Sequence, residues 1–375
     1  MPQAVARCAN EADVIAVLAH AQKYNVPITP RCGGHGYAGY STTTGIVIDV
    51  SPMNTITVGT GTATIGAGAK LIDVYDQLTA QGVAIPTGSC SSVGIAGITL
   101  GGGIGIVDRA YGLTCDNLIS ADVITADGKK ITCNESNEPD LFWALRGGGG
   151  GNFGVVTSFT FKTHATSDIT TLQASFPLDD LENVMSVWQA WPETLPDNIW
   201  GQAIVSWIGG GSPTVGIRVF CIGSQADAEP YWTKFLADVQ SIPLGTSITT
   251  ATYRSTMMGN CAGANMALCR SGQRNAFAAS SDFFDVPVPE TGWSKLKNFI
   301  NESIVAGNFG MIILDLMGGV IDNFQPTDTA FIHRKAIFSA EYYTFFNGSA
   351  PNATVDAAQV WENSFRTVMK PWSTG

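Results

Sequence analysis

The pattern of apolar and polar positions divides the chain into two regions of different predicted structure. Up to about residue 165, amphipathic segments alternate with short apolar runs. Residues 11–24 have helical apolar spacing behind Asn10, a suitable N-cap, and residues 70–81 predict a second helix that Gly82 ends. Apolar runs predict strands at 26–29, 45–49, 55–58 and 62–65. Strands and helices therefore alternate in this region.

Beyond residues 165–175 the predicted elements are longer. Alternating patterns predict strands at 204–207, 215–222, 312–316 and 336–345. Helical spacing predicts helices at 226–238, 290–301 and 355–369. This pattern favours a second domain built on a mostly antiparallel sheet. No internal repeat or low-complexity tract is present.

The charge of the chain limits the kinds of molecule that it is expected to bind. The 375 residues include 20 Lys and Arg against 31 Asp and Glu, which gives a net charge of −11, and no cluster of basic residues occurs. A protein that follows nucleic-acid phosphates needs a basic surface, so we expect no nucleic-acid partner. No apolar run is long enough to span a membrane, so we expect no membrane partner. A bound anion would depend on backbone N–H groups more than on side-chain cations.

The eight cysteines form no C-x-x-C pair, and we expect no metal site. Cys261 and Cys269 are close enough in sequence for a local disulfide in an oxidising compartment. Sequons at Asn134, Asn301, Asn347 and Asn352 favour a secreted protein, although Met1 begins no signal peptide. We therefore expect secretion with the signal peptide outside this sequence; a cytoplasmic location is the alternative.

Three glycine clusters stand out, at residues 33–36, 94–105 and 147–154. The third contains G-x-G-x-x-G, but a predicted helix at 139–146 precedes it and a predicted strand at 155–161 follows it. A dinucleotide fingerprint requires the opposite order, a strand followed by a helix. The third cluster is therefore interpreted as a close helix-to-strand crossover.

The first two clusters each hold one reactive side chain, His35 and Cys90. Small residues from 86 to 103 leave successive N–H groups unshielded, which suits an anion such as a pyrophosphate. The alternatives are a buried glycine-packed turn, a surface histidine and a small buried cysteine. The pairing of the two loops favours a shared ligand.

On these residues the chain resembles the flavin-linked oxidases of the vanillyl-alcohol-oxidase type, specifically the berberine-bridge-enzyme-like branch. The matching motifs, in order, are Pro30–His35 (PRCGGH), Gly88–Gly94 (GSCSSVG), Leu100–Gly105 (LGGGIG), Tyr111–Asn117 (YGLTCDN), Asp140–Thr157 (DLFWALRGGGGGNFGVVT), Gly318–Gly319 and Thr329–Arg334 (TAFIHR). These motifs are distributed in this order over nearly the whole length of the chain.

The resemblance implies an α+β fold. A PCMH-type FAD-binding domain of two α+β subdomains is expected over 1–168, and a substrate domain with an antiparallel sheet covered by helices over 169–350. Residues 351–375 would begin a segment that returns to the FAD domain. The resemblance also implies FAD attached twice, through His35 at the flavin 8α carbon and through Cys90 at C6. The other cofactor residues that it implies are Arg31, Gly33, Gly34, Gly36, Val93, Gly94, Gly97, Gly101, Gly102, Gly103, Asp116 and Val156. Cys32 departs from the family pattern, and we interpret it as a harmless small replacement and not as a competing thiol.

Removing hydride from a C–OH carbon requires a base for the hydroxyl proton. In oligosaccharide-oxidising relatives that base is a tyrosine in a segment that would follow Gly375. Relatives also have a segment before Met1. We therefore expect this chain to be truncated at both ends. Asp315 resembles the carboxylate that supports the tyrosine; the alternative is a strand-edge Asp that caps the turn at Gly318. Of Tyr342 and Tyr343, one is expected to face a cavity and the other the core.

Several further side chains are interpreted as structural. Trp188, Trp191 and Trp207 are expected in the core and not as sugar platforms, and His333 and Arg334 as residues that fix a strand end.

The leading hypothesis is an oxidase for a small-molecule alcohol or oligosaccharide, with O2 as electron acceptor and H2O2 as product. A tailoring oxidase of secondary metabolism is one alternative, and a truncated relative that binds flavin without turnover is another. A hydrolase is disfavoured because the chain has no G-x-S-x-G motif.

Overall fold

The computed structural model describes residues 1–208, 211–259, 269–270 and 276–374. The helices are α1 (Glu11–Tyr24), α2 (Leu71–Thr79), α3 (Ile95–Gly101), α4 (Asp108–Tyr111), α5 (Pro139–Ala144), α6 (Leu181–Ala190), α7 (Gln225–Val239), α8 (Tyr253–Met258), α9 (Glu290–Val305) and α10 (Asn352–Met369). The strands are β1 (Ala4–Arg7), β2 (Ile28–Arg31), β3 (Ile46–Asp49), β4 (Ile56–Gly59), β5 (Thr62–Gly66), β6 (Val83–Ala84), β7 (Leu118–Ile124), β8 (Lys130–Cys133), β9 (Val155–Lys162), β10 (His164–Ala165), β11 (Asp168–Pro177), β12 (Ile199–Ser206), β13 (Thr214–Ile222), β14 (Gly245–Thr252), β15 (Ala276–Phe284), β16 (Gly310–Leu316) and β17 (Phe338–Phe346). Short 3-10 turns lie at Thr114–Asn117, Leu178–Asp180, Trp191–Glu193, Gly319–Asn323 and Lys370–Trp372.

The chain divides into two compact units. The first comprises residues 1–167, 252–273 and 324–332, and the second comprises 168–251, 274–323 and 333–375. The mixture of helices and largely antiparallel sheets makes the fold α+β, as the family resemblance implies.

The described residues of the first unit form three small sheets. Strands β1, β3 and β2 form a parallel sheet in that order, and β4, β5, β9, β7 and β8 form an antiparallel one. Strands β6 and β10 pair separately. Helix α1 has the predicted bounds, and the Asn10 side chain caps it by accepting a hydrogen bond from the Asp13 N–H at 3.1 Å. The predicted helix-then-strand order around 147–154 is confirmed by α5 and β9.

The described residues of the second unit form a seven-stranded sheet covered on one face by helices. Its strand order is β14-β11-β13-β12-β16-β17-β15. Alternate residues of β11, β12, β13, β16 and β17 point into a core shared with α6, α7, α9 and α10, which includes Trp188, Trp293 and Phe338. The predicted burial of Trp188, Trp191 and Trp207 is confirmed, since each exposes at most 6% of its surface.

Two segments join the first unit although the sequence boundaries placed them in the substrate domain. Residues 324–332 do so because Trp143 Nε1 donates to the Thr327 carbonyl at 2.8 Å and the Phe331 N–H donates to the Arg146 carbonyl at 3.1 Å. Residues 252–259 do so through the Arg254–Asp76 ion pair at 2.6 Å.

The segment 351–375 groups with the second unit, and its expected role as the start of a segment that returns to the FAD domain stays a prediction. Helix α10 covers β15 and β17. Its Phe365 packs edge-on against Tyr342, with ring centres 5.0 Å apart, and its Arg366 pairs with Asp282. These contacts bury the apolar face of α10 against the sheet.

None of the described helices is both long and apolar enough to cross a lipid bilayer. Among the described side chains, no group of three or more metal-ligating residues converges. Cys261 lies outside the described residues, so its pairing with Cys269 stays a prediction.

We predict that Arg366→Met destabilises the protein by about 3 kcal/mol, because it leaves a buried carboxylate without its cation. Asp282 is fully buried, its Oδ1 accepts from Arg366 Nη2 at 2.8 Å, and Lys370 lies 4.0 Å away, beyond hydrogen-bonding distance. Denaturant titration measures the loss. Lys234→Met is the control, since its pair with Asp238 is exposed and is worth less than about 1 kcal/mol. Equal losses in the two variants would contradict the account.

Candidate functional site

Two loops of the first unit touch through backbone atoms at Gly33 and Gly94. A Cβ at Gly33 would lie 2.4 Å from the Gly94 nitrogen, and a Cβ at Gly94 would lie 2.1 Å from the Cys32 sulfur. Contacts this short are not sustained in proteins, so both positions require glycine. The approach fixes the loop after β2 against the loop before α3.

This contact brings His35 and Cys90 to one hydroxyl group. Ser92 Oγ lies 3.0 Å from His35 Nε2 and 3.8 Å from Cys90 Sγ. Ser92 is buried, His35 is half-buried and Cys90 is exposed. The two reactive side chains predicted from sequence therefore both lie within 3.8 Å of Ser92 Oγ, although Ser92 and His35 are 57 positions apart in the chain.

The surroundings of His35 favour its neutral form. Burial lowers the pKa of the imidazole below its ordinary value, and the nearby Lys70 ammonium lowers it further. Lys70 is held in place because its Nζ donates to the Arg270 carbonyl. A neutral imidazole with one nitrogen on Ser92 keeps its other nitrogen available for a bond.

The loop that carries Cys90 is anchored by a buried tyrosine. The Tyr75 hydroxyl donates to the Gly88 carbonyl, two residues before Cys90. Burial raises the pKa of Tyr75 well above its ordinary value, so the hydroxyl stays a donor. Cys90 itself is a free thiol.

Cys32 differs from Cys90 in its environment. Burial raises the pKa of the Cys32 thiol to about 11, and its sulfur lies 3.7 Å from the Ala69 carbonyl. The thiolate is the reactive form, so Cys32 stays an inert thiol at neutral pH. This environment favours our interpretation of Cys32 as a harmless small replacement and not as a competing thiol.

The glycines around α3 fall into two groups. A Cβ at Gly97 or Gly101 would meet no atom within 4 Å, so this side of the helix leaves its backbone open to a ligand. Gly102 and Gly103 have packing roles instead: a Cβ would lie 2.6 Å from the Phe331 ring and 2.1 Å from the Thr114 hydroxyl, respectively.

Four other predicted cofactor residues sit in structural contacts. Arg31 pairs with Asp49 at 3.3 Å, and Gly34 packs on the Arg31 side chain. Asp116 Oδ2 accepts from the Leu113 N–H at 2.9 Å and caps the turn at Thr114–Asn117. Val156 is buried in β9.

Gly36 and Val93 lie in the two loops beside His35 and Ser92. Their backbone therefore borders the same surface as His35 and Cys90.

A second polar cluster occupies the sheet of the second unit, on the face opposite the helices. Asp315 Oδ1 accepts from Gln202 Nε2 at 2.9 Å, and Glu341 on the next strand accepts from the Tyr343 hydroxyl. Burial raises the pKa of Asp315 to about 7. The hydrogen bond from Gln202 lowers this pKa, and the nearby charge of Glu341 raises it. Asp315 therefore changes protonation near neutral pH.

The paired tyrosines of β17 point in opposite directions, as alternation along a strand requires. Tyr342 packs against Phe365 under helix α10, while Tyr343 shares the other face with Glu341. His333 stacks on Phe283 at 3.9 Å, and Arg334 is fully buried.

Sequence reasoning assigned no role to three residues of the site, Ser92, Lys70 and Tyr75. Ser92 stands within the G-S-C-S-S-V-G motif, so its position beside Cys90 was visible. The contacts of Lys70 and Tyr75 depend on how α2 packs against the loops, and no local pattern signals them.

Comparison with known proteins finds a known domain family in the N-terminal part of the first unit. A family model described as an FAD binding domain matches residues 2–134. The FAD-linked oxidoreductase YgaK of Bacillus subtilis strain 168 is 34% identical over 384 residues, which covers the whole chain and 81% of the relative. A xylooligosaccharide oxidase of Thermothelomyces thermophilus is 36% identical over 52% of this chain and 40% of its own length.

Solved structures agree with these matches. The BBE-like 1 protein of Physcomitrella patens superposes with a TM-score of 0.89 at 26% identity, over 99% of this chain and 81% of that one. A chitooligosaccharide oxidase gives a TM-score of 0.87 at 26% identity, over 98% and 80%.

The side chains of the site and the open backbone beside them are compatible with a bound FAD. A neutral imidazole and an exposed thiol converge beside Ser92, and Gly97 and Gly101 leave an adjacent backbone surface uncovered. His35 and Cys90 would hold the flavin ring, and the open side of α3 would lie against the rest of the group.

We predict that Gly33→Ala destabilises the protein by about 2 kcal/mol, because the added Cβ meets backbone atoms that must move. Denaturant titration measures the change. Gly245→Ala is the control, since a Cβ there meets no atom within 4 Å and stability should be retained. A Gly33→Ala variant as stable as this control would refute the close approach.

Proposed function

Since the chain belongs to the berberine-bridge-enzyme-like FAD-linked oxidoreductases of the PCMH-type superfamily, we propose that it oxidises the CH–OH group of an alcohol, a carbohydrate or a secondary metabolite, with FAD held covalently by His35 and Cys90. The convergence of these two side chains on Ser92 carries the proposal. The similarity to xylooligosaccharide and chitooligosaccharide oxidases favours a carbohydrate substrate.

When bound, FAD supplies an acceptor for the substrate hydride and a route for electrons to O2, which yields H2O2. The protein's contribution is to hold this group and to manage protons around the substrate.

His35 is proposed to hold the flavin through its Nδ1 atom. Ser92 occupies Nε2 at 3.0 Å, so Nδ1 is the nitrogen left for the bond. The lowered pKa of His35 favours the neutral imidazole at neutral pH, and Nδ1 carries no proton in the tautomer whose Nε2–H donates to Ser92 Oγ.

Cys90 is proposed as the second link. Its thiol is exposed, unlike that of Cys32, and the Ser92 hydroxyl at 3.8 Å provides a hydrogen-bond partner for the sulfur. Two links from separate loops would fix the ring without covering either of its faces.

Asp315 is proposed to receive the alcohol proton, directly or through a tyrosine hydroxyl. Its pKa of about 7 allows it to hold a proton below neutral pH and to accept one above it. Gln202 fixes the orientation of the carboxyl by donating to Oδ1 at 2.9 Å.

We predict that flavin stays on the acid-denatured protein because of these two bonds. His35→Ala and Cys90→Ala should each retain flavin through the remaining link, and the double variant should retain none. Acid precipitation followed by the absorbance of pellet and supernatant measures attachment.

Cys32→Ala is the matched control and should keep both links, because the Cys32 thiol, with a pKa of about 11, stays protonated and unreactive at neutral pH. Release of all flavin from the denatured parent protein and from both single variants would refute covalent attachment.

We predict that Asp315→Asn slows anaerobic reduction of the bound flavin by about 100-fold, a typical contribution of one acid–base group. In the parent protein the rate should rise as pH increases through about 7, because only the deprotonated carboxylate accepts a proton. Stopped-flow absorbance with a xylooligosaccharide or chitooligosaccharide measures the rate.

The control is Asp238→Asn, an exposed carboxylate in the same unit, which should keep the parent's rate and pH profile. A full rate in Asp315→Asn, or a rise near pH 7 that survives the substitution, would contradict the proton role.

A further inference from the structure

The second unit holds a row of side chains that crosses six strands of its sheet. Register pairs Gln173 with Arg218, Arg218 with Gln202 and Gln202 with Asp315. It then pairs Asp315 with Ser339, and Ser339 with Phe283. Directly paired residues share one face of a sheet, so the row is continuous.

An open pocket of about 560 Å³ lies at the Arg218 end of this row. Its polar side chains include Gln173, Ser175, Ser206, Thr214, Arg218 and Ser247. Ile204 and Met311 add apolar surface, and Arg218 is the one charged residue among its described lining. The size suits a small organic ligand.

Arg218 differs from the other described cations of this unit in having no partner. Lys234, Lys297 and Arg366 pair with carboxylates within 2.8 Å. Lys295 lies over the Trp372 ring, and Lys335 donates to the Asp322 carbonyl. Lys370 lies 4.0 Å from Asp282, and the buried Arg334 has a partner.

By contrast, Arg218 makes no salt bridge or hydrogen bond with any residue that the structure describes. In a chain of net charge −11, this leaves an uncompensated cation in a pocket with no carboxylate among its described lining.

We propose that the Arg218 pocket binds the carboxylate of an acidic saccharide. A guanidinium matches a carboxylate through two parallel hydrogen bonds. The hydroxyl and amide groups suit sugar hydroxyls, while Ile204 and Met311 suit the C–H face of a pyranose ring. A single cation matches a monoanion better than a phosphate dianion.

The register also joins this pocket to Asp315. Gln202 lies between Arg218 and Asp315 on the central strand of the three, so the two charged groups are two interstrand spacings apart, about 10 Å. A saccharide whose acidic group sits on Arg218 would extend along the row toward Asp315. This placement rests on the proposed function, whereas binding of the acid does not.

Calorimetric titration of the flavin-loaded protein at low ionic strength tests the proposal, with D-glucuronate, D-glucose and inorganic phosphate as probes. Glucuronate should bind about tenfold or more tightly than glucose or phosphate. Arg218→Gln should remove this preference, Arg218→Lys should keep part of it, and Lys234→Gln should leave it unchanged.

Equal binding of glucuronate and glucose by the parent protein would overturn the proposal. So would a preference that survives Arg218→Gln, or phosphate binding as tight as that of glucuronate. Loss of the preference in Lys234→Gln would also overturn it, because the effect would then be one of net charge.

Attachment of flavin to the denatured protein separates the two proposals. If the Arg218 pocket does not bind glucuronate, flavin should still be attached to His35 and Cys90. If flavin is not attached to these residues, the preference for glucuronate should still be observed.

Discussion

The site depends on one close approach, the contact between the backbones of Gly33 and Gly94. A side chain at either position would push the loops apart, since its Cβ would lie less than 3 Å from an atom of the other loop. Because they touch, His35 and Cys90 reach the same hydroxyl of Ser92. The chemistry that we propose for the first unit follows from this contact, and Gly33 and Gly94 are required there for a steric reason.

Electrostatics then separates groups that look alike in the sequence. Cys32 and Cys90 are both loop cysteines, but burial raises the pKa of Cys32 to about 11 while Cys90 remains exposed. In the second unit, Asp282 is matched by Arg366, whereas Asp315 has a neutral partner and a pKa near 7. Burial and the nature of the partner thus distinguish the structural groups from those that we propose to take part in the chemistry.

Much of this arrangement could be predicted from the sequence because it is encoded locally. Helix α1 has a capping Asn10 and a clear apolar spacing, and the motifs around His35 and Cys90 are contiguous. The division into units was harder, since residues 324–332 join the first unit through long-range hydrogen bonds to Trp143 and Arg146 that no local pattern signals. The Arg218 pocket was missed for the same reason, because strand register brings its residues together.

The central claim is that one flavin joins two distant loops, and protease digestion of the intact protein followed by mass spectrometry tests it most directly. The account predicts a single flavin-bearing species in which the peptide that contains His35 is cross-linked to the peptide that contains Cys90. Recovery of both peptides unmodified, at their sequence masses and without flavin, would contradict it.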